Sequence, residues 1–570
     1  MQPSWTTAVS DWESRLKNRQ SIIPPPIFAS EAESALAIFK ALKIVDLPKV
    51  WDEELGEMRA PTFGECSEEW VFDFVRSIFG AYDSETGKQL IREYGLLISK
   101  KNTKSTIAAG IMLTALIICW RDDEEHLILA PTKEVADNSY KPAASMVRAD
   151  EELSALFHIQ DHVRTITHRL NRNSLKVVAA DTDTVSGKKA GRILVDELWL
   201  FGKRANADAM FQEALGGQVS REEGWVIFLT TQSDEAPAGE FKKKLDYWRD
   251  VRDGVVHNPK VLGILYEFSK SMVEAKAYMD PANFYITNPN IGRSVSKEWL
   301  IDELNKRSAE QDGGFQRFLA KHLNVEIGMN LRSDRWAGAD FWAQNADKAV
   351  SLEFILENCE VVTVGIDGGG LDDLLGLTAL GRMSDGKWLA WSHAWAHPSV
   401  LERRKEVAPR LQDFAKDGDL TMVKQIGDDL EDVVQICEQV YESGLLDKIG
   451  IDPGGIGSIL DSLQETGIPH DQIVGVAQTW RLSAAIKTVE RKLAGGVFGF
   501  AESPMMNWCV GNAKIEIKGS NVYITKQAAG TAKIDPLMSL FNAAYLMAEN
   551  PEARGGLDDW LSDPIRTGKA

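Results

Sequence analysis

An α/β fold in two successive domains is what this sequence predicts, and three observations carry the prediction. The first is length: 570 residues exceed what one core fills, since single cores stop growing at about 250–300 residues. The second is a series between Tyr94 and Gln232 in which short apolar runs end in polar residues and lead into helical stretches, the alternation of a parallel sheet. The third is a later series, Val361 to Asp367, Leu374 to Gly381 and Lys387 to His397, which reads as a meander of strands before helices and strands alternate again.

Composition narrows the class. Hydrophobic residues at 44% and charged residues at 26% are those of an ordinary globular chain, which excludes a disordered or fibrous one. The five cysteines (Cys66, Cys119, Cys359, Cys437, Cys509) are scattered without a CxxC pair. That excludes a zinc ribbon or disulfide framework and fits a reducing compartment. Met1-Gln2-Pro3-Ser4-Trp5 leads into a charged helical stretch and not into a signal-peptide pattern. The longest apolar run, Ile107 to Trp120, is short for a bilayer and reads as a buried helix, so no membrane partner is expected. A net charge of −20 argues against a uniformly basic nucleic-acid coat but leaves room for DNA in a local groove.

Residues 1–60, with Pro24-Pro25-Pro26, read as an N-terminal arm, and 61–265 as the first domain's core. Trp70, Phe74, Ile78 and Phe79 share one helix face. A strand ending at Ile98 then runs through Ser99-Lys100-Lys101-Asn102-Thr103-Lys104-Ser105-Thr106 into an apolar helix, the layout of a phosphate-binding loop. Backbone N–H groups around Lys101, Asn102 and Thr106 and the helix start would hold the phosphates of ATP; Lys104 would neutralise them, and Ser105 would sit on Mg²⁺. Ile98 and Thr103 stand where GxxxxGK[ST] has glycines, and a β-branched Thr103 resists the φ > 0 geometry glycine permits.

Leu127 to Thr132 is a further strand, followed by a helix from Val135 to Val147. Gly191 to Val195 ends in Asp196-Glu197, where the Asp would hold the Mg²⁺ shell and the Glu would orient the attacking water. Trp225 to Leu229 ends in Thr230-Thr231-Gln232, placed to sense the γ-phosphate. Asp-Glu after an apolar run is also an ordinary helix cap; the weight rests on three such groups in order, each at a strand end. Arg148, Arg192 and Arg204 are candidates for an arginine acting on a neighbouring subunit's nucleotide.

The stretch 240–350 reads as mainly helical and charged, with 266–350 as a helical lid or linker region. Lys242-Lys243-Lys244 reads as a solvated helix face more than as a DNA contact. Asn288-Pro289-Asn290-Ile291-Gly292 marks a turn before a helix near Ser296. Trp336 and Trp342 are expected to pack against the second domain.

The second domain, 351–550, is organised around three acids. Asp367 lies in Gly365-Ile366-Asp367-Gly368-Gly369, Asp452 in Ile449-Gly450-Ile451-Asp452-Pro453, and Asp535 in Lys533-Ile534-Asp535-Pro536. Each has an aliphatic residue before it and Gly or Pro after it. Asp often caps strand ends and helix starts. Three together suit hard, oxygen-preferring cations: two Mg²⁺ or Mn²⁺ ions roughly 3.5–4 Å apart that drive in-line attack on phosphate. Asp372 and Asp373 either border that site or cap a strand. Helices at Ser399 to Lys416, Asp429 to Glu442 and Ala484 to Leu493, strands near Met422 to Ile426 and Ile449 to Asp452, and a small-residue-rich helix from Leu537 to Met547 complete an RNase H-like order. Residues 551–570 read as a mobile tail.

From about Trp70 to Met547 these residues resemble the large terminase subunit of tailed bacteriophages. The likeness rests on Lys101-Asn102-Thr103-Lys104-Ser105 (Walker A type), Val195-Asp196-Glu197 (Walker B type), Thr230-Thr231, Asn288 to Gly292, Asp367, Asp452-Pro453 and Lys533 to Pro536. Thr103 and Gln232 depart from the family's usual residues. The resemblance implies an N-terminal P-loop ATPase with a parallel sheet and a helical lid region, and a C-terminal RNase H-like mixed-sheet nuclease domain. It implies ATP-driven translocation of double-stranded DNA into the procapsid and metal-dependent endonucleolytic cutting of concatemeric DNA. The implied partners are double-stranded DNA, a small terminase subunit and the capsid portal, on which a homo-oligomeric ring would dock. The implied place is the host cell cytoplasm, transiently on the procapsid and not in the mature virion. The alternatives are a helicase-like ATPase fused to a nuclease, or a catalytically silent scaffold. Against the first, no later helicase motifs follow Gln232; against the second, Lys104 and all the acids are present.

Overall fold

Four of the apolar runs named above lie side by side or one strand apart in a single eight-stranded sheet. The computed structural model describes residues 5–53, 56–179, 189–204, 206–309, 314–327, 336–452, 456–518, 521–526 and 533–554. The chain divides into two units, Met1–Ile327 and Gly328–Ala570. In the first, the strand order is Val261–Leu265, Glu93–Leu97, Trp225–Thr230, Ala190–Val195, Glu125–Ala130, Ser174–Ala179, Thr165–His168, Phe157–Gln160. Neighbours run parallel as far as Ser174–Ala179 and antiparallel beyond it. Ala190–Val195 and Trp225–Thr230 are buried along their whole length, as strands covered on both faces are. Parallel pairing brings the carboxyl ends of Glu93–Leu97, Ala190–Val195 and Trp225–Thr230 to one edge, where such sheets bind ligands.

The Ile107 to Trp120 run forms the helix Lys104–Ile117, buried from Ile107 to Leu116. No described helix is long and apolar enough to cross a membrane. Residues 240–350 are mainly helical as expected, but the strand Val261–Leu265 within them was not anticipated. Its five-residue apolar run is too short for periodicity to separate strand from helix. The hairpin Phe157–Gln160/Thr165–His168 was likewise not anticipated; it is stabilised by cross-strand pairing at the sheet's end. The N-terminal arm packs onto this unit: Phe39 of the helix Ala29–Ala41 meets Phe63 at 4.3 Å between ring centroids, and the Val9 N–H donates to the Arg252 carbonyl at 2.8 Å. Lys244 pairs with Glu93 at 2.7 Å and Lys243 pairs with Glu240, so two of the three clustered lysines are engaged within their own unit.

In the second unit the sheet order is Ala346–Asp347, Phe498–Ala501, Trp388–Ala396, Leu375–Arg382, Val361–Gly368, Leu446–Ile451, Ile473–Gly475, with Leu420–Met422 beside Trp388–Ala396. The meander Val361–Gly368/Leu375–Arg382/Trp388–Ala396 is antiparallel, and Leu446–Ile451 joins it parallel. Trp336 and Trp342 belong to this unit's core, where Trp342 stacks on Phe500 at 4.0 Å. Pro551 accepts from Arg382 at 2.8 Å and Arg554 pairs with Asp447 at 3.0 Å, so the start of the expected tail is tied to the sheet. Residues 555–570 lie outside the described residues.

The period-two alternation of Val361–Gly368 sorts its side chains between two cores. Val362, Val364 and Ile366 face one core. Thr363 and Gly365 face the closing helix Asp535–Met547: the Thr363 hydroxyl donates to the Ala543 carbonyl at 2.9 Å. At Gly365 a Cβ would lie 2.0 Å from the Ser539 carbonyl oxygen and 2.5 Å from the Ala543 amide nitrogen. Both are helix backbone and cannot rotate away. Gly365→Ala should therefore destabilise the second unit by about 2 kcal/mol or more, the upper range for overpacking. Urea unfolding of the variant measures this, and an unchanged midpoint would mean the helix can retreat without loss.

Candidate active sites

In the first unit the chain leaves Glu93–Leu97 and turns into the helix Lys104–Ile117 through two residues in the left-handed region, Lys101 (φ 72°) and Thr103 (φ 58°). The loop thus takes a glycine-like path without glycine, at about 1–2 kcal/mol per residue. A ring of asparagines holds it there. The Asn102 amide donates to the Ser99 carbonyl at 3.0 Å and to Asn288 Oδ1 at 2.9 Å. The Asn290 backbone N–H returns a bond to Asn102 Oδ1 at 3.0 Å, and its side chain donates to the Asn102 carbonyl at 3.0 Å and Thr103 Oγ1 at 3.1 Å. Trp70 Nε1 donates to Asn290 Oδ1 at 2.8 Å. Asn102 is fully buried, so its side chain braces the cradle and only its main chain is left for a ligand. Lys101 is exposed, Thr106 is half-buried on the first helical turn, and the Lys101 carbonyl accepts from Ser294 Oγ at 2.7 Å.

Across the same edge, Lys104 Nζ lies 2.9 Å from Glu197 Oε1, both side chains largely buried. Ser105 Oγ donates to Asp196 Oδ2 at 3.0 Å, and Ser139 Oγ donates to the same oxygen at 2.9 Å. Burial pushes the Asp196 carboxyl above the usual carboxylate range, and the Glu197 charge adds to that, against the pull of Lys104 and the two hydroxyls. A buried carboxylate and hydroxyl in contact are hard oxygen donors that gain from a cation, so the pair fits Mg²⁺. Burial also works against ionisation of Glu197, but Lys104 and the Trp199 indole overrule it and hold this carboxyl below its usual range. Thr230 Oγ1 accepts from the Trp199 backbone N–H at 3.1 Å. The Gln232 amide is buried with neither polar atom bonded among the described residues.

The arginine candidates separate. Arg192 is buried within the strand Ala190–Val195, register-paired with His126 and Trp225, and its guanidinium donates to Cys119 Sγ at 3.5 Å. It cannot reach a neighbouring subunit, which corrects its place among the candidates. An arginine mid-strand reads as an outward side chain, but here the Glu124 and Glu223 carboxylates lie close enough to feel its charge inside the fold. Arg148 is exposed and pairs with Asp161 at 2.5 Å, and Arg204 donates to the Pro131 carbonyl at 2.5 Å.

In the second unit, parity and register place the acids. Asp367 follows Thr363 and Gly365 on the closing-helix face. Ile366 pairs with Ile451, so Asp367 and Asp452 end neighbouring parallel strands, about 4.8 Å apart between chains. Gly450, two residues before Asp452, also faces the closing helix, where a Cβ would lie 3.3 Å from the Asn542 carbonyl. Asp535 opens that helix, and its Cβ is 3.2 Å from where a Gly368 Cβ would stand. A carboxylate there gains from the helix dipole. Asp367 and Asp535 thus stand on the closing-helix side, Asp452 follows the strand beside Asp367, and carboxylate oxygens are the donors that Mg²⁺ or Mn²⁺ prefer. Among the described residues no group of three or more Asp, Glu, His or Cys side chains is placed to hold a metal ion, so the structure does not itself bring Asp367, Asp452 and Asp535 together as ligands. Instead the Gln478 amide donates to Asp367 Oδ1. Pro453 lies outside the described residues.

Asp372 and Asp373 serve the loop. Lys533 Nζ donates to the Asp372 carbonyl at 3.0 Å and to the Asp373 carboxylate, and Arg404 pairs with Asp372 at 3.3 Å. Lys533 of the Lys-Ile-Asp-Pro segment therefore fastens the loop after the glycine turn to the start of the closing helix, two residues on. Sequence reasoning missed Gln478, Ser139, Trp199 and Lys321. Gln478, Ser139 and Lys321 carry no local pattern because each meets its partner only through packing, and Trp199, though only two residues past Glu197, belongs to no motif that marks it.

The family model of the terminase large subunit ATPase domain matches residues 69–250, and that of its endonuclease domain matches residues 265–550. Protein YmfN of Escherichia coli (strain K12) is 24% identical over 390 residues, 63% of this chain and 78% of its own. The terminase large subunit of Enterobacteria phage HK97 is 20% identical over 499 residues, 86% of this chain and 93% of its own. The crystal structure of the HK97 bacteriophage large terminase aligns at 18% identity with a TM-score of 0.45, covering 90% of this chain and 99% of that one. Since the endonuclease model alone takes in half of the chain and the ATPase model precedes it in the order the motifs require, this chain belongs to the terminase large subunit family.

Proposed function

We propose residue roles for the two activities of this DNA-packaging motor subunit, ATP hydrolysis and endonucleolytic cutting. The observation that carries the first is the Lys104–Glu197 pair, with Ser105 bonded to Asp196 beside it. Phosphate oxygens arriving on the loop compete with Glu197 for the Lys104 ammonium. Glu197 is then left with its Trp199 bond and one oxygen able to accept a proton from water. Ser105 and Asp196 would hold Mg²⁺, whose charge offsets that of the phosphates. The orphaned Gln232 amide supports a contact to the γ-phosphate, since a buried amide without partners costs about 1–3 kcal/mol unless a ligand meets it.

Asp367, Asp452 and Asp535 would hold Mg²⁺ or Mn²⁺, which supply an activated water and stabilise the leaving 3′ oxygen. The Gln478 amide keeps the Asp367 carboxylate aimed at the sheet end. The DNA is double-stranded, a small terminase subunit selects it, and the motor works as a homo-oligomeric ring docked on the capsid portal in the host cell cytoplasm. Arg148 and Arg204 remain the surface candidates for the arginine in trans. The test against a helicase-like reading is substrate choice. Duplex DNA should raise ATP turnover more than single strands do, without strand separation. Unwinding of a forked duplex would overturn this reading in favour of a helicase–nuclease.

A further inference from the structure

We propose that Trp199 and Lys321 are positioning residues for ATP hydrolysis that act through Glu197. This rests on the water-orienting role of Glu197 given above. Glu197 has left-handed backbone (φ 55°) just past its strand, and its carboxylate is held at two points, Lys104 on Oε1 and Trp199 Nε1 on Oε2 at 2.5 Å. Phosphates take Lys104 away, so the indole is the anchor that persists while water attacks. A carboxylate fixed by one oxygen presents the other in a restricted arc, which is how orientation lowers a barrier.

The indole is itself fixed from three sides. Its backbone N–H donates to Thr230 Oγ1 at 3.1 Å, at the end of the sensing strand. Lys203 Nζ lies 5.5 Å from its ring centroid. On the ring face, Lys321 Nζ stands 2.9 Å from the centroid and donates to the Gln232 carbonyl at 2.8 Å. Lys321 comes from the helix Gly314–Leu323, and its own carbonyl accepts from the Lys100 N–H at 2.8 Å. One lysine therefore joins the phosphate loop, the sensing strand and the ring that holds the catalytic carboxylate.

Packing alone would favour an apolar side chain here. The contacts of Lys321 are a carbonyl and an aromatic face, and the carboxylates it feels, Asp234 and Glu197, act through space. Burial lowers its ammonium to about 7, with Lys100 and Lys203 pushing the same way and Asp234 and Glu197 pulling back. Its charge over the indole is thus present below neutral pH and fades above it, and with it goes the cation–π attraction.

The experiment is steady-state ATP hydrolysis by the full chain with duplex DNA, from pH 6 to 9, for Trp199→Phe, Lys321→Met and the double variant. Phe keeps the ring but lacks the N–H; Met keeps the length but lacks the charge. Melting curves and plasmid cleavage report the fold. Expected is a fall in kcat of at least tenfold for each, with KM for ATP within twofold, since the contacts of both side chains are with Glu197, Gln232 and each other rather than with Lys104 or Ser105. The double variant should be no worse than the poorer single one. The wild type should lose kcat as pH rises above about 7, and Lys321→Met should lack that limb. Single variants within twofold of wild type, additive losses, or the same alkaline limb in Lys321→Met would overturn the proposal. Glu197→Gln run alongside separates the two readings: if it is inactive while Trp199→Phe is normal, only the positioning role fails, and if it is active, the role of Glu197 fails first.

Discussion

Glu197→Gln should lower ATP turnover by about 10²–10⁴-fold, the usual loss when a general base or water-orienting group is removed. The amide keeps one acceptor oxygen, which serves Lys104 or the Trp199 indole N–H while its NH2 faces the other donor, and the loop survives because its asparagine bonds do not involve Glu197. What it lacks is basicity in a buried setting where nothing else on that edge replaces it. The neighbouring carboxylate, Asp196, has its oxygens taken by Ser105, Ser139 and the Glu197 N–H. Lys104→Ala should be as inactive for a different reason, losing the charge that meets the phosphates, and it should also weaken nucleotide binding. The measurement is phosphate release with and without duplex DNA, beside binding of a non-hydrolysable ATP analogue. Glu197→Gln should bind the analogue like wild type and fail only in turnover, because its loss belongs to the transition state. Near-normal turnover would move the catalytic role away from Glu197.

Asp367→Asn should abolish DNA cutting, with a loss of at least about 10²-fold, since a metal site supplies several kcal/mol of transition-state stabilisation. The fold should hold or gain. With Asp367, Asp452 and Asp535 gathered as proposed, like charges repel, and an amide at 367 removes one of them. Gln478 can still bond an amide oxygen there. Asp452→Asn should behave alike. Asp535→Asn should be milder in activity, and it gives up part of the favourable carboxylate–dipole contact at the closing helix start. Plasmid digestion with Mn²⁺ beside a melting curve distinguishes the cases. Cutting by Asp367→Asn, or a collapse of its melting transition, would mean that these acids are strand caps.

The acids were legible because their signals are local. An aliphatic residue, an Asp and a Gly or Pro mark a carboxylate at a strand end for Asp367 and Asp452, while the same pattern at Asp535 opens a helix. The left-handed path at Thr103 ran against the sequence reading, because a β-branched residue resists that geometry and the Asn290 bonds that hold it there come from far along the chain. Arg192 shows the limit. Whether a strand arginine points outward or joins a buried group with Cys119 depends on neighbours contributed by other strands.

The sequence by itself determined that this chain has two sheet domains, which strands end in which acids, and where a lysine and a serine meet a helix start. Short-range patterns of two and about four residues specify those features, because burial acts on alternate strand residues and on helix faces. The tertiary structure alone decided what holds each group in place. Asn290 bracing the phosphate loop, Lys533 reaching Asp373, Gln478 reaching Asp367 and Lys321 covering Trp199 each join residues far apart in the chain. Those pairings arise when whole elements pack, and no window of sequence contains both partners.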